Sequence, residues 1–280
     1  MAVLIALIPA PLTLAADDTG IATIDWTLAE TLVALDAPPA GVAQIDAYHD
    51  WVGKPAMPDE VVDLGLRSQP NLERLSELAP SRILISPMFS RLKPKLSRIA
   101  KVETLDFYTG QRPLWDQLVE MTHQLGDIAA RETAADTLVE NTEDQLERQR
   151  NTLSASRDPL LMIQLMDARH ARVFGDHSLL QAVTERLGLE NGWQEPTNAW
   201  GFSLVGIEDL MTIDARLVVI KPLPVGVEER LANSGLWQRL PSVKRGDVIW
   251  LDPVWTFGGL PSAQRFANLL VEALEDTDRA

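Results

Sequence analysis

The sequence of 280 residues predicts an α/β protein whose two lobes are joined by a single long helix. Short β-like runs alternate with helical patterns on both sides of residues 130–155, as is typical of α/β layers. The segment between them contains ETAADTLVENTEDQLERQRNTL, which is long, charged and poor in Gly and Pro. A polar helix of this kind more often connects two domains than lies in a core. We therefore place the N-terminal lobe at 17–129, the connecting helix at 130–155 and the C-terminal lobe at 156–280.

The individual elements follow from local patterns along the chain. Helices are predicted at Thr27–Leu35, after the Pro70-Asn71 pair, and almost continuously over 112–155. Strands are predicted where short apolar or β-branched runs are bounded by turn residues. These strands are Gly20–Asp25, Ala40–Ile45, Arg82–Ser86 and the run LLMIQLMD that follows Pro159. The alternation of strands and helices then continues to the C-terminus.

The two halves carry a similar unit in which a helix start leads into a strand. In the first half, LERL contains Glu73 and leads to the strand RILI. In the second half, IEDL contains Glu208 and leads to the strand RLVV. Two explanations are open for this pair. Each carboxylate either complements a helix dipole, worth roughly 0.3–1 kcal/mol, or marks a corresponding functional corner of two similar lobes.

Composition excludes several classes of protein. A hydrophobic content of 46% supports a packed core and excludes a disordered chain. A net charge of −15 argues against non-specific nucleic-acid binding and against a polybasic membrane-surface protein, since both require clustered Lys and Arg. The chain has no cysteine, so disulfides, thiolate metal sites and a cysteine nucleophile are excluded.

The first 16 residues, MAVLIALIPAPLTLAA, are nearly all apolar but too few to span a bilayer. They are typical of the apolar core of a secretory signal, with Thr13-Leu14-Ala15 as a small-residue cleavage site. No basic residue precedes Lys54, although secretory signals begin with one. The segment therefore predicts either a signal that starts upstream or a buried first strand, and we favour the signal.

Motifs that identify enzymes are missing from the sequence. There is no G-x-S-x-G elbow, no G-x-x-x-x-G-K-[ST] phosphate loop and no G-x-G-x-x-G turn. The four histidines have no close metal-ligand spacing; they are His49, His123, His170 and His177. A catalytic triad needs no sequence motif, yet no residue is marked as a nucleophile. The sequence therefore predicts neither an enzyme nor a protein-bound metal.

Tryptophan is the most informative residue type, with eight Trp against two Tyr. Several Trp residues stand beside Gly, Pro or Asn, as in NGWQEPTNAWGFS and DPVWTFGG, or in a loop-like stretch such as AYHDW. One loop Trp usually covers a core edge, whereas several spread over both halves favour an aromatic cleft for a bulky ligand. Arg67 stands alone before the helix start at Pro70-Asn71, so it is either a polar anchor for that ligand or an ordinary surface Arg.

Five segments resemble the periplasmic ferric hydroxamate siderophore-binding proteins: DWTLAETLVAL, PDEVVDLGLRSQPNLERL, DARHARVFGDHSLLQ, PTNAWG and PVWTFGG. The likeness keeps its order and close spacing from about Asp25 to the C-terminus. It implies a class III substrate-binding protein of an ABC importer, with two α/β lobes, one long connecting helix and a shallow cleft for the ligand. It also implies a periplasmic, non-catalytic protein without a cofactor, because the siderophore itself holds the iron.

The resemblance assigns the site residues one at a time. The family's ligand-binding arginine falls on Arg67, which is expected to contact the hydroxamate oxygens around the iron. The family's aromatic wall falls on Trp26, Trp51, Trp193, Trp200 and Trp255. Two family tyrosines fall on Phe89 and Phe257, which lack the hydroxyl, and one family tryptophan falls on Ile85. Losing a hydrogen bond to a charged partner costs roughly 1.5–3 kcal/mol, enough to change the preferred siderophore.

The resemblance also implies partners. In this family one acidic residue on each lobe docks on arginines of a two-fold permease, and these positions fall on Glu73 and Glu208. With the resemblance added, we favour docking over the dipole explanation. The expected partners are a ferric hydroxamate siderophore and an inner-membrane permease with its ATPase, and the chain itself is expected to be a monomer.

Three alternatives stay open at this point. The same fold binds cobalamin, haem or a different siderophore, although a triply anionic catecholate calls for several Arg or Lys and only Arg67 stands out in the sequence. A two-lobed enzyme acting on an aromatic or glycosidic substrate would turn its ligand over. A structural adaptor would leave the tryptophans of the predicted cleft without a role.

Overall fold

The computed structural model describes residues 20–153 and 158–279. The predicted signal at 1–16, with its alternative of a first strand, lies outside the described residues. Two five-stranded sheets lie on either side of a long helix in the chain order. The predicted α/β fold with two similar halves and a long helix between them is confirmed.

The strands of the N-terminal half are β1 Ile21–Thr23, β2 Gly41–Val42, β3 Val62–Asp63, β4 Gly65–Leu66, β5 Gln69–Pro70, β6 Arg82–Ile85 and β7 Lys101–Thr104. Five of them form a sheet in the order β3-β2-β1-β6-β7, which is parallel throughout. β4 and β5 form a separate hairpin. The carboxyl ends of parallel strands share one edge of a sheet. At this edge the Ser86 hydroxyl, after β6, donates to Asp25, after β1, over 2.5 Å.

The strands of the C-terminal half are β8 Leu160–Leu165, β9 His170–Phe174, β10 Phe202–Gly206, β11 Arg216–Ile220 and β12 Val248–Leu251. They form a mixed sheet in the order β10-β9-β8-β11-β12. β8, β11 and β12 are parallel, whereas β9 and β10 run antiparallel to their neighbours. In this register Arg172 of β9 stands between Gln164 and Leu204.

The helices are α1 Trp26–Ala34, α2 Ile45–Trp51, α3 Leu72–Leu78, α4 Lys93–Leu96, α5 Leu114–Ala129, α6 Glu132–Thr152, α7 Leu179–Arg186, α8 Val227–Ala232, α9 Pro241–Arg245 and α10 Leu260–Arg279. Three 3₁₀ turns lie at Pro87–Leu92, Ile207–Thr212 and Trp237–Arg239. The helical run predicted over 112–155 is two helices, because Ala130 takes a left-handed conformation (φ 52°) that ends α5. The helix α6 lies within the predicted connector at 130–155.

Side chains of the two sheets alternate between different cores. In β11, Leu217 and Val219 pack in a core that belongs to the C-terminal half, whereas Val218 and Ile220 face a second core. This second core is shared, since it combines residues of α1, α5, α6, α7 and α10 with both sheets. The helix α6 contributes buried residues such as Leu138 and Leu146 to it. The two halves therefore pack against each other through a common core, in addition to being connected by α6.

Hydrogen bonds fasten residues 255–262 of the C-terminal half to α1 and the loop before α5, and we call this contact the interlobe seam. The Thr27 hydroxyl donates to the Phe257 carbonyl over 2.7 Å and accepts from the indole N–H of Trp255 over 3.1 Å. The Tyr108 hydroxyl donates to the Gly258 carbonyl over 3.0 Å. All of these groups are buried, so the seam holds Trp255 and Phe257 in fixed positions.

A fully buried carboxyl completes the interlobe seam. Glu30 of α1 accepts from the Gly259 N–H over 2.6 Å and from the Ser262 hydroxyl over 2.5 Å, so it satisfies donors at the start of α10. Burial raises the pKa of Glu30 to about 8, against the opposing effect of these two hydrogen bonds, and the nearby charge of Asp25 raises it further. At pH 7 this carboxyl is therefore mostly protonated.

Two local predictions were wrong. Trp51 was expected in a loop-like stretch, but it is the last residue of helix α2. The strand expected at Ala40–Ile45 is limited to Gly41–Val42, and Ile45 is the first residue of α2. Glu208 was expected at the start of a helix, and it lies in the first turn of the 3₁₀ helix Ile207–Thr212, in which Asp209 accepts from the backbone N–H of Gly206. Within residues 20–153 and 158–279, no helix is both long enough and apolar enough to cross a bilayer.

Candidate ligand-binding site

Arg67 lies in the turn of the β4–β5 hairpin, which is fixed to the edge of the first sheet. Gly65 supplies the left-handed backbone that the hairpin needs (φ 76°), and its N–H donates to Asp63 over 2.7 Å. Its carbonyl accepts from the N–H of Gln44 over 2.8 Å. The side-chain oxygen of Gln44 then accepts from the N–H of Arg67 over 3.1 Å. Gln44 thus holds the hairpin at both Gly65 and Arg67.

The guanidinium of Arg67 lies among three aromatic rings. Its central carbon is 4.2 Å from the ring centre of Trp26, 5.1 Å from Phe89 and 5.3 Å from Trp255. Its Nε donates to the Ile24 carbonyl over 3.2 Å, at the carboxyl end of β1. Within the described residues, its two Nη groups have no hydrogen-bond partner. Those donors are available to a ligand, in the fork geometry that suits paired oxygen atoms.

The charge of Arg67 is balanced in part by Asp25. Burial lowers the pKa of the guanidinium, and the nearby charge of Asp25 raises it. Asp25 is 3% exposed and is already committed, because it caps α1 through the N–H of Thr27 over 2.9 Å and accepts from Ser86. Arg67 therefore has a counter-charge nearby while its Nη donors stay unpaired.

Aromatic rings continue from Arg67 into the C-terminal half. Trp26 packs edge-on against Trp255 with a centroid separation of 5.1 Å, and Trp255 packs on Phe257 at 5.3 Å. Phe257 contacts Trp200 at 6.2 Å, and Trp200 stacks on Tyr108 at 5.9 Å with an interplanar angle of 24°. We call these five residues, together with Phe89 and Phe202, the aromatic cluster. It spans the interlobe seam, so residues of both halves form one apolar surface.

A second guanidinium, which the sequence analysis missed, lies at the far end of the aromatic cluster. The central carbon of Arg172 is 5.0 Å from the ring centre of Phe202 and 5.6 Å from that of Phe257. Its Nη1 donates to the side-chain oxygen of Gln164 over 3.3 Å. Arg172 belongs to the motif DARHARVFG, but no local signal separates it from Arg169, which is exposed in the same hairpin. Only the strand register shows that Arg172 faces the rings.

The comparisons with known proteins agree with this architecture. Residues 21–254 match the family model described as periplasmic binding protein. The chain belongs to the periplasmic binding protein family. It is 33% identical over 262 residues to the iron(3+)-hydroxamate-binding protein FhuD of Escherichia coli, a match that covers 93% of this chain and 88% of FhuD. These findings confirm the resemblance that the sequence motifs indicated.

Solved structures of other periplasmic binding proteins share the fold. Siderophore-binding protein FhuD from Vibrio cholerae, solved with Fe³⁺–Desferal bound, superposes with a TM-score of 0.87 at 25% identity and covers 92% of this chain and 98% of its own. The triscatecholate siderophore-binding protein FeuA from Bacillus subtilis, solved with ferri-bacillibactin, superposes with a TM-score of 0.76 at 19% identity. The match covers 95% of both chains and shows the fold.

The aromatic wall predicted for this periplasmic binding protein is only partly assembled in the aromatic cluster. Trp26, Trp200, Trp255, Phe89 and Phe257 lie in it. The other two predicted wall residues pack elsewhere. Trp51 is half-buried against the shared core at the end of α2, and Trp193 packs against the core of the C-terminal half and lines a surface depression beside α7.

Ile85, where the family has a tryptophan, is fully buried in the core of the N-terminal half. This position therefore adds no area to the aromatic cluster. The rings of Trp26, Trp255 and Phe257 are themselves 4%, 8% and 8% exposed, so each offers an edge to a ligand instead of a whole face.

The two acidic residues predicted to dock the binding protein are both exposed. Glu73 lies in the first turn of α3, whose N-cap Asn71 accepts from the N–H of Arg74. Glu208 lies in the first turn of Ile207–Thr212, with its carboxylate folded back over Gly206. Each segment leads directly into a parallel strand of its own sheet, β6 or β11. The two carboxylates therefore take corresponding positions in the chain order of the two halves.

Across 20–153 and 158–279, no group of three or more His, Asp or Glu side chains is arranged to hold a metal ion. The chemistry of the aromatic cluster itself is that of two guanidiniums and several rings, which suits an oxygen-rich ligand with apolar faces.

Proposed function

We propose that this protein binds iron(III)-hydroxamate siderophores in the periplasm and delivers them to an ABC importer of the inner membrane. The observation that carries the proposal is the arrangement of Arg67, whose Nη donors are unpaired among Trp26, Phe89 and Trp255. A ferric hydroxamate presents oxygens around the iron and apolar linkers between them, so it matches a cationic fork set among rings. The relatives named for iron(III)-hydroxamate and Fe³⁺–Desferal support this ligand class.

The siderophore itself supplies the oxygen atoms that coordinate the iron. The iron is part of the transported substrate and stays bound by siderophore oxygens. The protein binds and orients the chelate without a resident cofactor. Trp26, Trp200, Trp255, Phe89 and Phe257 would give the apolar contact, and Arg67 would fix the orientation. Trp51 and Trp193 remain predicted ligand contacts, and their positions outside the aromatic cluster would put them at the rim of the bound chelate.

The interlobe seam favours a pre-formed site. Buried hydrogen bonds from Thr27, Glu30 and Tyr108 tie the two halves together directly beneath Trp255 and Phe257. Opening the halves would break these bonds and expose the shared core. The ligand is therefore expected to enter a surface that already has its bound shape, with small lobe movements.

Delivery would depend on the exterior of the protein. Glu73 and Glu208, one on each half, would pair with arginines of the permease, and the ATPase of the importer would supply the energy. The binding protein acts as a monomer, with its lobes at 17–129 and 156–280 joined by 130–155, and performs no catalysis. Its net charge of −15 is consistent with a partner that presents cations.

The decisive experiment is a titration of intrinsic tryptophan fluorescence with a ferric trihydroxamate, with cobalamin and haemin as control chelates. Saturable one-to-one quenching by the hydroxamate alone is the expected result, because Trp26, Trp200 and Trp255 lie in the site. Saturation by cobalamin or haemin with no response to hydroxamates would keep the fold and change the ligand class. Recovery of a chemically altered ligand after incubation would instead indicate an enzyme.

A further inference from the structure

Only one guanidinium nitrogen of Arg172 has a hydrogen-bond partner within the described residues. Its Nη1 is tied to Gln164, which is 2% exposed, and its guanidinium is half-buried against Phe202 and Phe257. The neighbouring β9 residues Ala171 and Val173 point into the core of the C-terminal half. Arg172 therefore faces the other way, toward the shared core and the rings of the aromatic cluster. The remaining guanidinium donors keep a defined orientation because the buried Gln164 fixes one of them.

No carboxylate of the described residues forms an ion pair with Arg172. Among residues 20–153 and 158–279, Arg172 forms no ion pair, whereas Arg216 on the same sheet pairs with Asp247 over 2.5 Å. Burial lowers the pKa of Arg172 with no opposing charge, in contrast to Arg67, which has Asp25 nearby. The buried carboxyl at the interlobe seam, Glu30, is mostly protonated at pH 7 and supplies little negative charge. A half-buried cation without a partner is unfavourable, and an anionic ligand group would relieve it.

The charges of the site therefore point to a ligand with a negative group. Arg67 and Arg172 lie at opposite ends of the aromatic cluster, with the rings of Trp255 and Phe257 between them. The central carbon of Arg67 is 5.3 Å from the ring centre of Trp255, the two ring centres are 5.3 Å apart, and the central carbon of Arg172 is 5.6 Å from the ring centre of Phe257. Of the two, only Arg67 has a counter-charge nearby in the described part of the chain. A ferric trihydroxamate of the cyclic peptide type is neutral. A ferric citrate-dihydroxamate uses its central citrate carboxylate to bind the iron, and it carries free carboxylates when its two hydroxamate arms are amino acids with an α-carboxylate, which is the anionic form. A carboxylate matches the planar fork of a guanidinium, with two parallel hydrogen bonds.

We infer that Arg172 is a second ligand-contacting cation, and that it makes this site prefer ferric hydroxamates bearing a free carboxylate over neutral ones. The inference rests on the proposed function, because it names a subclass of the same ligands. Arg67 orients the oxygens around the iron, and Arg172 binds the peripheral carboxylate at the other end of the aromatic cluster.

The test compares two probes, a neutral ferric trihydroxamate and an anionic ferric citrate-dihydroxamate, by tryptophan fluorescence at low and high salt. The variants are Arg172→Gln and the matched control Arg169→Gln, which removes the same charge from an exposed position of the same hairpin. The wild type is expected to bind the anionic probe about tenfold more tightly. Arg172→Gln is expected to abolish that preference while changing the affinity for the neutral probe by less than about threefold. Arg169→Gln is expected to leave both affinities unchanged.

The remaining outcomes of this test contradict either the inference about Arg172 or the proposed function. Equal loss of both probes in Arg172→Gln, or a wild type that does not prefer the anionic probe, overturns the inference and leaves the proposed function standing. Failure of the wild type to bind either probe overturns the proposed function itself. Arg172→Lys guards against misfolding: with an unchanged melting temperature, it is expected to keep part of the preference and its salt dependence, since the charge remains but the fork is lost.

Discussion

The two halves bring an arginine to the same aromatic cluster by different structural routes. The first sheet is parallel throughout, and Arg67 comes from a small hairpin outside it. The second sheet contains an antiparallel hairpin, and Arg172 stands within it. The halves are therefore similar in architecture but not equivalent at the site. The weak internal repeat thus predicts the layout of the two lobes, whereas the two arginines proposed to contact the ligand lie on elements that differ between the lobes.

The two arginines also differ in their electrostatic surroundings. Arg67 has the buried carboxylate of Asp25 nearby, so its charge is tolerated without ligand. Arg172 has an amide partner in Gln164 and no ion pair within the described residues. Arg67 thus has a counter-charge within the protein, whereas we infer that Arg172 gains its counter-charge from the ligand.

Breaking the interlobe seam is expected to have the largest effect, because both halves of the comparison depend on it. Glu30→Ala leaves the Gly259 N–H and the Ser262 hydroxyl without an acceptor and creates a cavity. The free energy of unfolding is expected to fall by about 3–5 kcal/mol, measured by urea denaturation. Glu147→Ala, an exposed change on α6, is the control. Similar stability of the two variants would contradict the structural role of Glu30.

The pH dependence of stability gives a second test of the same carboxyl. The pKa of Glu30 is raised from 4.5 to about 8, so between these values the folded state holds a proton that the unfolded state has released. Its contribution to the free energy of unfolding is therefore lost as pH rises from 4.5 through 8, by on the order of 5 kcal/mol. Glu30→Gln cannot titrate, so thermal melts from pH 5 to 8.5 are expected to show a smaller decline than the wild type. Parallel pH profiles of the two proteins would argue against a buried, protonated Glu30.

Arg67→Ala tests whether the two arginines have different effects on ligand binding. It removes the guanidinium among Trp26, Phe89 and Trp255, so neutral and anionic ferric hydroxamates are both expected to lose affinity. The loss is expected to be about 2 kcal/mol, or roughly thirtyfold. Arg98→Ala, at an exposed position of the same half, should bind both as the wild type does. A loss of affinity for only one of the two probes would contradict this prediction, because it would mean that Arg67 determines ligand preference, as inferred for Arg172.

The proposed docking residues test whether the two halves are equivalent on the outside. Glu73→Lys and Glu208→Lys are each expected to slow siderophore uptake by cells about tenfold, because like charges would then face the permease. Ligand affinity of the purified variants should be unchanged. Glu77→Lys and Glu229→Lys, exposed changes in the same halves, serve as controls. An equal slowing of uptake by the controls would indicate a general charge effect.

Restoring the family hydroxyls is expected to have the smallest effect. Phe89→Tyr, beside Arg67, and Phe257→Tyr, beside Arg172, each add one hydrogen-bonding group at opposite ends of the aromatic cluster. One neutral hydrogen bond to the ligand is worth about 1 kcal/mol, or roughly fivefold in affinity, measured by the same fluorescence titration. Weaker binding by Phe89→Tyr would show that its ring is too tightly packed for the hydroxyl.

Sequence patterns predicted the elements more closely than the site. The strands at β1, β6 and β8 and the helices α1 and α6 lie within one to three residues of their predicted bounds, because hydrophobic period and turn residues are local signals. The helix end at Ala130 and the 3₁₀ turn at Ile207–Thr212 were not predicted, since both depend on backbone conformations that Ala and Ile rarely signal. The sequence also did not predict where Trp51 and Trp193 pack, because that depends on the tertiary structure.

By itself, the sequence determined the α/β class, the two halves and the membership of the periplasmic binding protein family, and it suggested Arg67 as a ligand-binding residue, because periodicity, composition and family motifs are all properties of the chain order. Tertiary structure alone decided which rings meet, that Glu30 lies at the start of α10, and that Arg172 faces the aromatic cluster without an ion pair among the described residues. Glu30 and Ser262 are 232 positions apart in the chain, and the direction in which Arg172 points depends on which face of its strand is turned inward. Burial and charge balance arise only when such residues are packed together.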